Sequence, residues 1–160
     1  MIARLLLVLA LLIVPPVHAA GEPVIVVVGD SISAGYGLAP GQVWVALLEM
    51  RLKAERFPHR VINASISGDT TAGGRTRLPA LLAAHKPAVV VIELGGNDAL
   101  RGQPLAATRA NLDAMTLAAQ SAGARVLILG MKLPPNYGPA YVREFDTLFE
   151  TVAKARKAAF

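Results

Sequence analysis

Four short apolar runs punctuate the chain: Val24 to Val28, Arg60 to Ala64, Ala88 to Glu93 and Arg125 to Leu129. They are continuous rather than alternating, as expected of strands buried on both faces of a parallel sheet. Between them lie segments with helical spacing, about Val43 to Arg56, about Gly74 to His85 and about Pro104 to Ala122. In the third, Leu105, Leu112, Met115 and Ala119 share one face, and Pro104 sits near the start, where a missing N–H costs nothing. A last helix is predicted from about Pro139 to Ala158, with Val142, Phe145, Leu148/Phe149 and Val152 along one stripe.

This alternation of strand and helix predicts an α/β fold with right-handed crossovers and a doubly wound parallel sheet. In such sheets the chemistry sits in the loops at the carboxyl ends of the strands. Here those loops are Gly29-Asp30-Ser31, Ser65 to Thr71, Gly95 to Asp98 and Gly130 to Gly138.

The first twenty residues form a separate unit. Arg4 precedes an unbroken apolar run from Leu5 to Val14, and Val17-His18-Ala19 fits a small-residue cleavage site. A run of that length is too short to span a bilayer, so residues 1–19 are predicted to be a secretory signal peptide rather than a membrane anchor. Cleavage after Ala19 leaves 141 residues (20–160), enough for one domain, and lowers the formal charge from +5 to +4. The mature chain is expected to be secreted or periplasmic, without a stable membrane anchor.

Composition narrows the chemistry. The chain of 160 residues is 54% hydrophobic, which excludes a disordered class, and contains no cysteine. Disulfides, thiolate catalysis and zinc–thiolate sites are thereby ruled out. The basic clusters Arg51-Lys53-Arg56-Arg60 and Lys154-Arg156-Lys157 lack interleaved aromatic residues. They are expected to be solvated helix faces rather than a nucleic-acid surface.

Three loops carry candidate groups. Ser31 follows the first strand on a Gly29 turn, which exposes a hydroxyl and a backbone N–H at the active edge. It does not match the Gly-x-Ser-x-Gly elbow of the α/β-hydrolases, and the plain alternative is that Asp30 or Ser31 caps a helix. A phosphopantetheine serine is disfavoured by the strand before it, and no phosphate-binding glycine motif follows that strand. Gly68 can bring a backbone N–H close to a ligand, and Asn97 in Gly95-Gly96-Asn97-Asp98 can offer a side-chain donor, with ordinary turn and capping roles as alternatives. Together these loops supply one nucleophile and three donors, the minimum set for a tetrahedral intermediate of acyl transfer.

The segments Gly29 through Gly37, Asn63 through Thr71 and Gly95 through Gly102 resemble three blocks of the SGNH (GDSL) hydrolases. They are most similar to the periplasmic multifunctional esterase/thioesterase/lysophospholipase I subgroup, from about Pro23 to the end of the chain. The resemblance implies a flavodoxin-like three-layer sandwich. It also implies Ser31 as nucleophile, and Ser31 N–H, Gly68 N–H and Asn97 Nδ2 as the oxyanion hole. Asp30 and Asp98 are expected to be supporting residues. Acyl esters, aryl esters, thioesters or lysophospholipids are the implied substrates, with no cofactor and no metal.

The family's fourth block, an Asp-x-x-His that supplies the general base and its carboxylate, does not occur among these residues. His18 lies in the leader, while His59 and His85 precede the second and third strands, on the wrong side of the sheet. The expectation is a domain that ends before its fifth strand and the following helix, with the Arg125 to Leu129 strand left as an unpaired edge. Hydrolysis should then be very slow. A non-catalytic acyl- or ester-binding module is the alternative function, and a base supplied by a partner chain has no support in the sequence.

Overall fold

A computed structural model describes residues 21–160. The predicted leader, residues 1–19, lies outside the described residues. Four strands, β1 (Val24–Gly29), β2 (Arg60–Asn63), β3 (Val89–Glu93) and β4 (Arg125–Ile128), pair in parallel in the order β2-β1-β3-β4. Six helices accompany them: α1 (Ser31–Ala34), α2 (Trp44–Ala54), α3 (Thr71–His85), α4 (Gly96–Leu100), α5 (Leu105–Ser121) and α6 (Pro139–Arg156). The result is the expected three-layer α/β arrangement.

Alternate residues of each strand feed two cores, because successive side chains point to opposite faces. Val26, Val28, Val90, Ile92, Val126 and Ile128 pack with Leu78, Leu112, Met115, Phe145 and Phe149 from α3, α5 and α6. On the opposite face Ile25, Val27 and Val91 meet Val45, Trp44 and Leu52 from α2. The predicted burial of every strand on both faces therefore holds only for the centre of the sheet. β1 is buried throughout, whereas β2 is a half-exposed edge strand. Leu127 and Leu129 are half-covered on the α2 face, where α2 is the only long helix among the described residues.

Two further expectations need correction. α3 starts at Thr71 rather than near Gly74, because Thr70 caps it by accepting from the Gly73 N–H. Two successive glycines hide that first turn from a propensity reading. Gly74 is needed there because a Cβ would collide with the Leu94 side chain. The Arg125–Ile128 strand is also not a wholly unpaired edge. After Lys157 ends α6 in the left-handed region (φ 52°), Ala159 forms a parallel bridge with Leu127. Its N–H donates to the Val126 carbonyl at 2.9 Å, and the Ile128 N–H donates to its carbonyl at 3.0 Å.

Candidate active site

The strand order decides where the candidate groups meet. β1 lies between β2 and β3, so the loops leaving all three open side by side at the carboxyl edge. Ser31 follows β1, Gly68 follows β2 and Asn97 follows β3, which brings the three sequence-predicted residues to one end of the molecule. His59 and His85 precede β2 and β3 at the other end, roughly 15–20 Å away at the usual rise per strand residue. Neither reaches Ser31.

Ser31 opens α1, a single turn that the sequence analysis treated as a loop. Asp30 is its N-cap: Oδ1 accepts from the Ile32 N–H at 3.0 Å. The capping alternative is thus true of Asp30, and it leaves the half-buried Ser31 free at the helix start, with its own N–H donating to no protein acceptor among the described residues. Gly68 sits in a turn closed by the Asp69 N–H donating to the Ile66 carbonyl at 3.0 Å. Its φ of +78° is strained for any residue with a side chain, and its N–H is also uncommitted among the described residues.

Asn97 differs from these two donors. Its Nδ2 donates to Asp30 Oδ2 at 3.1 Å and to the Asp69 carbonyl at 2.9 Å, so both amide hydrogens are engaged within the protein. To serve an oxyanion it must release or share one of them. Asp30 is almost fully buried, and that burial raises its carboxyl pKa against the opposing pull of the Ile32 and Asn97 hydrogen bonds.

Asp98, the other predicted supporting residue, points elsewhere. It is fully buried and accepts from the Thr71 N–H at 2.9 Å and the Thr71 hydroxyl at 2.5 Å. Asp98 therefore pins the start of α3 to α4, next to the loop that carries Gly68.

A buried carboxyl group that no motif in the sequence marks lies directly beneath the nucleophile turn. Glu93 ends β3 opposite Gly29, and its Oε2 accepts from the Ser33 hydroxyl at 2.5 Å. Ser33 in turn accepts from the Trp44 indole N–H at 3.1 Å. An acidic residue closing an otherwise apolar strand was the available signal. Burial pushes the Glu93 pKa up to about 7, helped by the neighbouring Asp30 charge and opposed by the Ser33 hydrogen bond.

This shift makes stability depend on pH. A folded-state pKa above the unfolded one adds stability that is complete below the ordinary glutamate range. That stability is lost as pH rises through about 7. The loss is at most about 3 kcal/mol for a shift of this size. Melting temperature should fall between pH 5 and pH 8 in the wild type and fall distinctly less in Glu93→Gln, with Asp30 leaving a residual slope in the same direction. Parallel curves for the two proteins would refute this role of Glu93.

A largely apolar groove of about 380 Å³ opens beside the loops that carry Ser31 and Asn97, lined by Ile32, Leu100, Met131, Leu133 and Phe145, with Lys132 also in its wall. Ile32 and Gly96 adjoin Ser31 and Asn97 in the chain, so the groove starts at the candidate chemistry and runs towards the segment before α6. Among the described residues, no group of three His, Cys, Asp or Glu side chains is placed to hold a metal ion.

Residues 27–160 match the family model of the GDSL-like Lipase/Acylhydrolase family. The chain belongs to that family. It is 56% identical over 140 residues to the esterase TesA of Pseudomonas aeruginosa, covering 88% of this chain and 70% of that protein. It is 40% identical over 137 residues to the thioesterase 1/protease 1/lysophospholipase L1 of Escherichia coli, covering 86% of this chain and 64% of that one. The chain thus spans less than two thirds of the second relative. Among solved structures, TesA superposes with a TM-score of 0.83 at 57% identity, covering 84% of this chain and 75% of that one. The psychrotrophic esterase EstA from a Pseudoalteromonas species, in a structure inhibited by monoethylphosphonate, gives 0.82 at 40% identity, covering 86% of this chain and 75% of that one.

Proposed function

We propose that this chain is an ester hydrolase domain in which Ser31 is the acyl-accepting nucleophile, with Ser31 N–H, Gly68 N–H and Asn97 Nδ2 as its oxyanion donors. The observation that carries this reading is the pair of uncommitted N–H groups, on Ser31 and Gly68, at one sheet edge beside the Asn97 carboxamide. Backbone donors held by turns need no reorganisation when charge develops, which is why such groups stabilise a tetrahedral oxyanion well. The apolar groove suits the acyl or aryl part of a small ester, thioester or lysophospholipid, in keeping with the activities named for the relatives. In this reading residues 1–19 form a leader removed near Ala19, and the domain acts after export.

No imidazole among the described residues stands near Ser31 to take its proton. With these residues alone, turnover is expected to be slow. Its oxyanion donors alone contribute on the order of 10³–10⁴-fold over water, the level left when a serine protease loses triad members. A second reading, a binding module that holds an acyl ester without turnover, is favoured by the same lack of a base and by the prior engagement of the Asn97 amide.

Incubation with an aryl ester, an acyl thioester and a lysophospholipid separates the two. Slow product release, faster than in the Ser31→Ala variant, supports the hydrolase. Saturable binding of all three with no product above buffer overturns it in favour of the binding module.

A further inference from the structure

We infer that Arg77 is a positioning residue for the chemistry at Ser31, holding the Gly68 turn and the Asn97 carboxamide in one frame through Asp69. This inference rests on the hydrolase reading and adds to it a residue outside the three blocks that define the site.

The guanidinium of Arg77, on α3, reaches three acceptors at once. Its Nε donates to Asp69 Oδ2 at 2.8 Å, its Nη1 to the Ala64 carbonyl, and its Nη2 to the Gly29 carbonyl at 3.4 Å. Gly29 ends β1 and Ala64 follows β2, so one side chain ties the starts of the Ser31 and Gly68 loops together. The pair is sheltered, with Arg77 and Asp69 side chains 20% and 11% exposed, so water screens it less than a surface ion pair.

Asp69 extends that grip to both candidate donors. It follows Gly68 directly, and its N–H closes the turn that sets the Gly68 peptide. Oδ1 accepts from the Thr70 N–H at 2.9 Å, and its carbonyl accepts from Asn97 Nδ2 at 2.9 Å. The turn is also held by Arg101, an exposed residue whose Nη2 donates to the Gly68 carbonyl at 2.9 Å, and by the Ile66 N–H, which donates to the Gly29 carbonyl at 3.0 Å. Only a planar fork satisfies the three Arg77 acceptors together. A lysine ammonium, being a point charge on a flexible stem, does not.

The test is the rate at which an alkyl fluorophosphonate reacts with Ser31 in the full chain, followed by intact mass. Circular dichroism and melting establish the folded fraction. Arg77→Ala and Arg77→Lys are expected to lower that rate about 10–100-fold, a partial loss of donors whose complete removal costs more. Guanidinium chloride at a sub-denaturing concentration should restore part of the rate in Arg77→Ala and none in Arg77→Lys. A merely structural arginine would change melting without changing the rate of the folded fraction or responding to guanidinium.

If Arg77→Ala does not fold, Asp69→Asn carries the test. It keeps the carbonyl that Asn97 uses while discharging the ion pair, and a rate several-fold lower is expected. A rate within about twofold of the wild type in the folded variant overturns the positioning role. Ser31→Ala serves as the control: equal reaction in that variant overturns the nucleophile assignment itself, and the Arg77 inference with it.

Discussion

Ser31→Ala is expected to abolish covalent capture of an alkyl fluorophosphonate, because the hydroxyl oxygen that forms the adduct as fluoride leaves is gone. The size of this effect follows from position. Ser31 is the half-buried first residue of α1, its turn is fixed by the Asp30 cap, and its backbone N–H is free to receive the phosphoryl oxygen. Neighbouring hydroxyls cannot substitute for it. Ser33 is completely buried and its hydroxyl is committed to Glu93. Reaction is expected to be slow even in the wild type, since no histidine among the described residues lies near Ser31. Peptide mapping that finds the adduct on another residue would contradict the assignment.

The second large effect is expected at Asn97. Asn97→Ala should reduce both phosphonylation and ester turnover by about 10²–10³, the usual cost of removing one oxyanion donor. Asn97 is also part of the folded framework, because its amide joins Asp30 in the Ser31 turn to Asp69 beyond Gly68. Some stability, about 1–2 kcal/mol, should therefore be lost as well. Rates must be compared at a temperature where both proteins are folded. Asn97→Asp is expected to be at least as damaging, since an ionised carboxylate cannot donate and would face the Asp30 carboxylate. An alanine variant that keeps the wild-type rate would limit Asn97 to its framework role.

Much of this arrangement is legible in the sequence because the strong signals are local. The uninterrupted β-branched run from Val24 to Val28 specifies the central strand, and the Phe145, Leu148, Phe149 and Val152 stripe specifies the buried face of α6. Ser31, Gly68 and Asn97 are each found at the end of a readable strand, and the order of strands brings them to one edge.

The unread parts depend on contacts between distant segments. The Arg77 grip joins residues 8, 13 and 48 positions apart in the chain, and Glu93 meets Ser33 across 60. No periodicity encodes such pairs. Asp98 resembled a site residue because it adjoins Asn97, yet the α4 turn directs its carboxylate to Thr71. The two short helices were likewise hidden, since a single turn leaves no apolar stripe to detect.

The most direct test of the oxyanion site is a crystal structure of the protein phosphonylated at Ser31. The account predicts the phosphoryl oxygen within about 2.7–3.1 Å of Ser31 N, Gly68 N and Asn97 Nδ2, with Asn97 released from at least one of its two present acceptors. A phosphoryl oxygen turned towards solvent, with Asn97 still bound to both Asp30 and the Asp69 carbonyl, would contradict it.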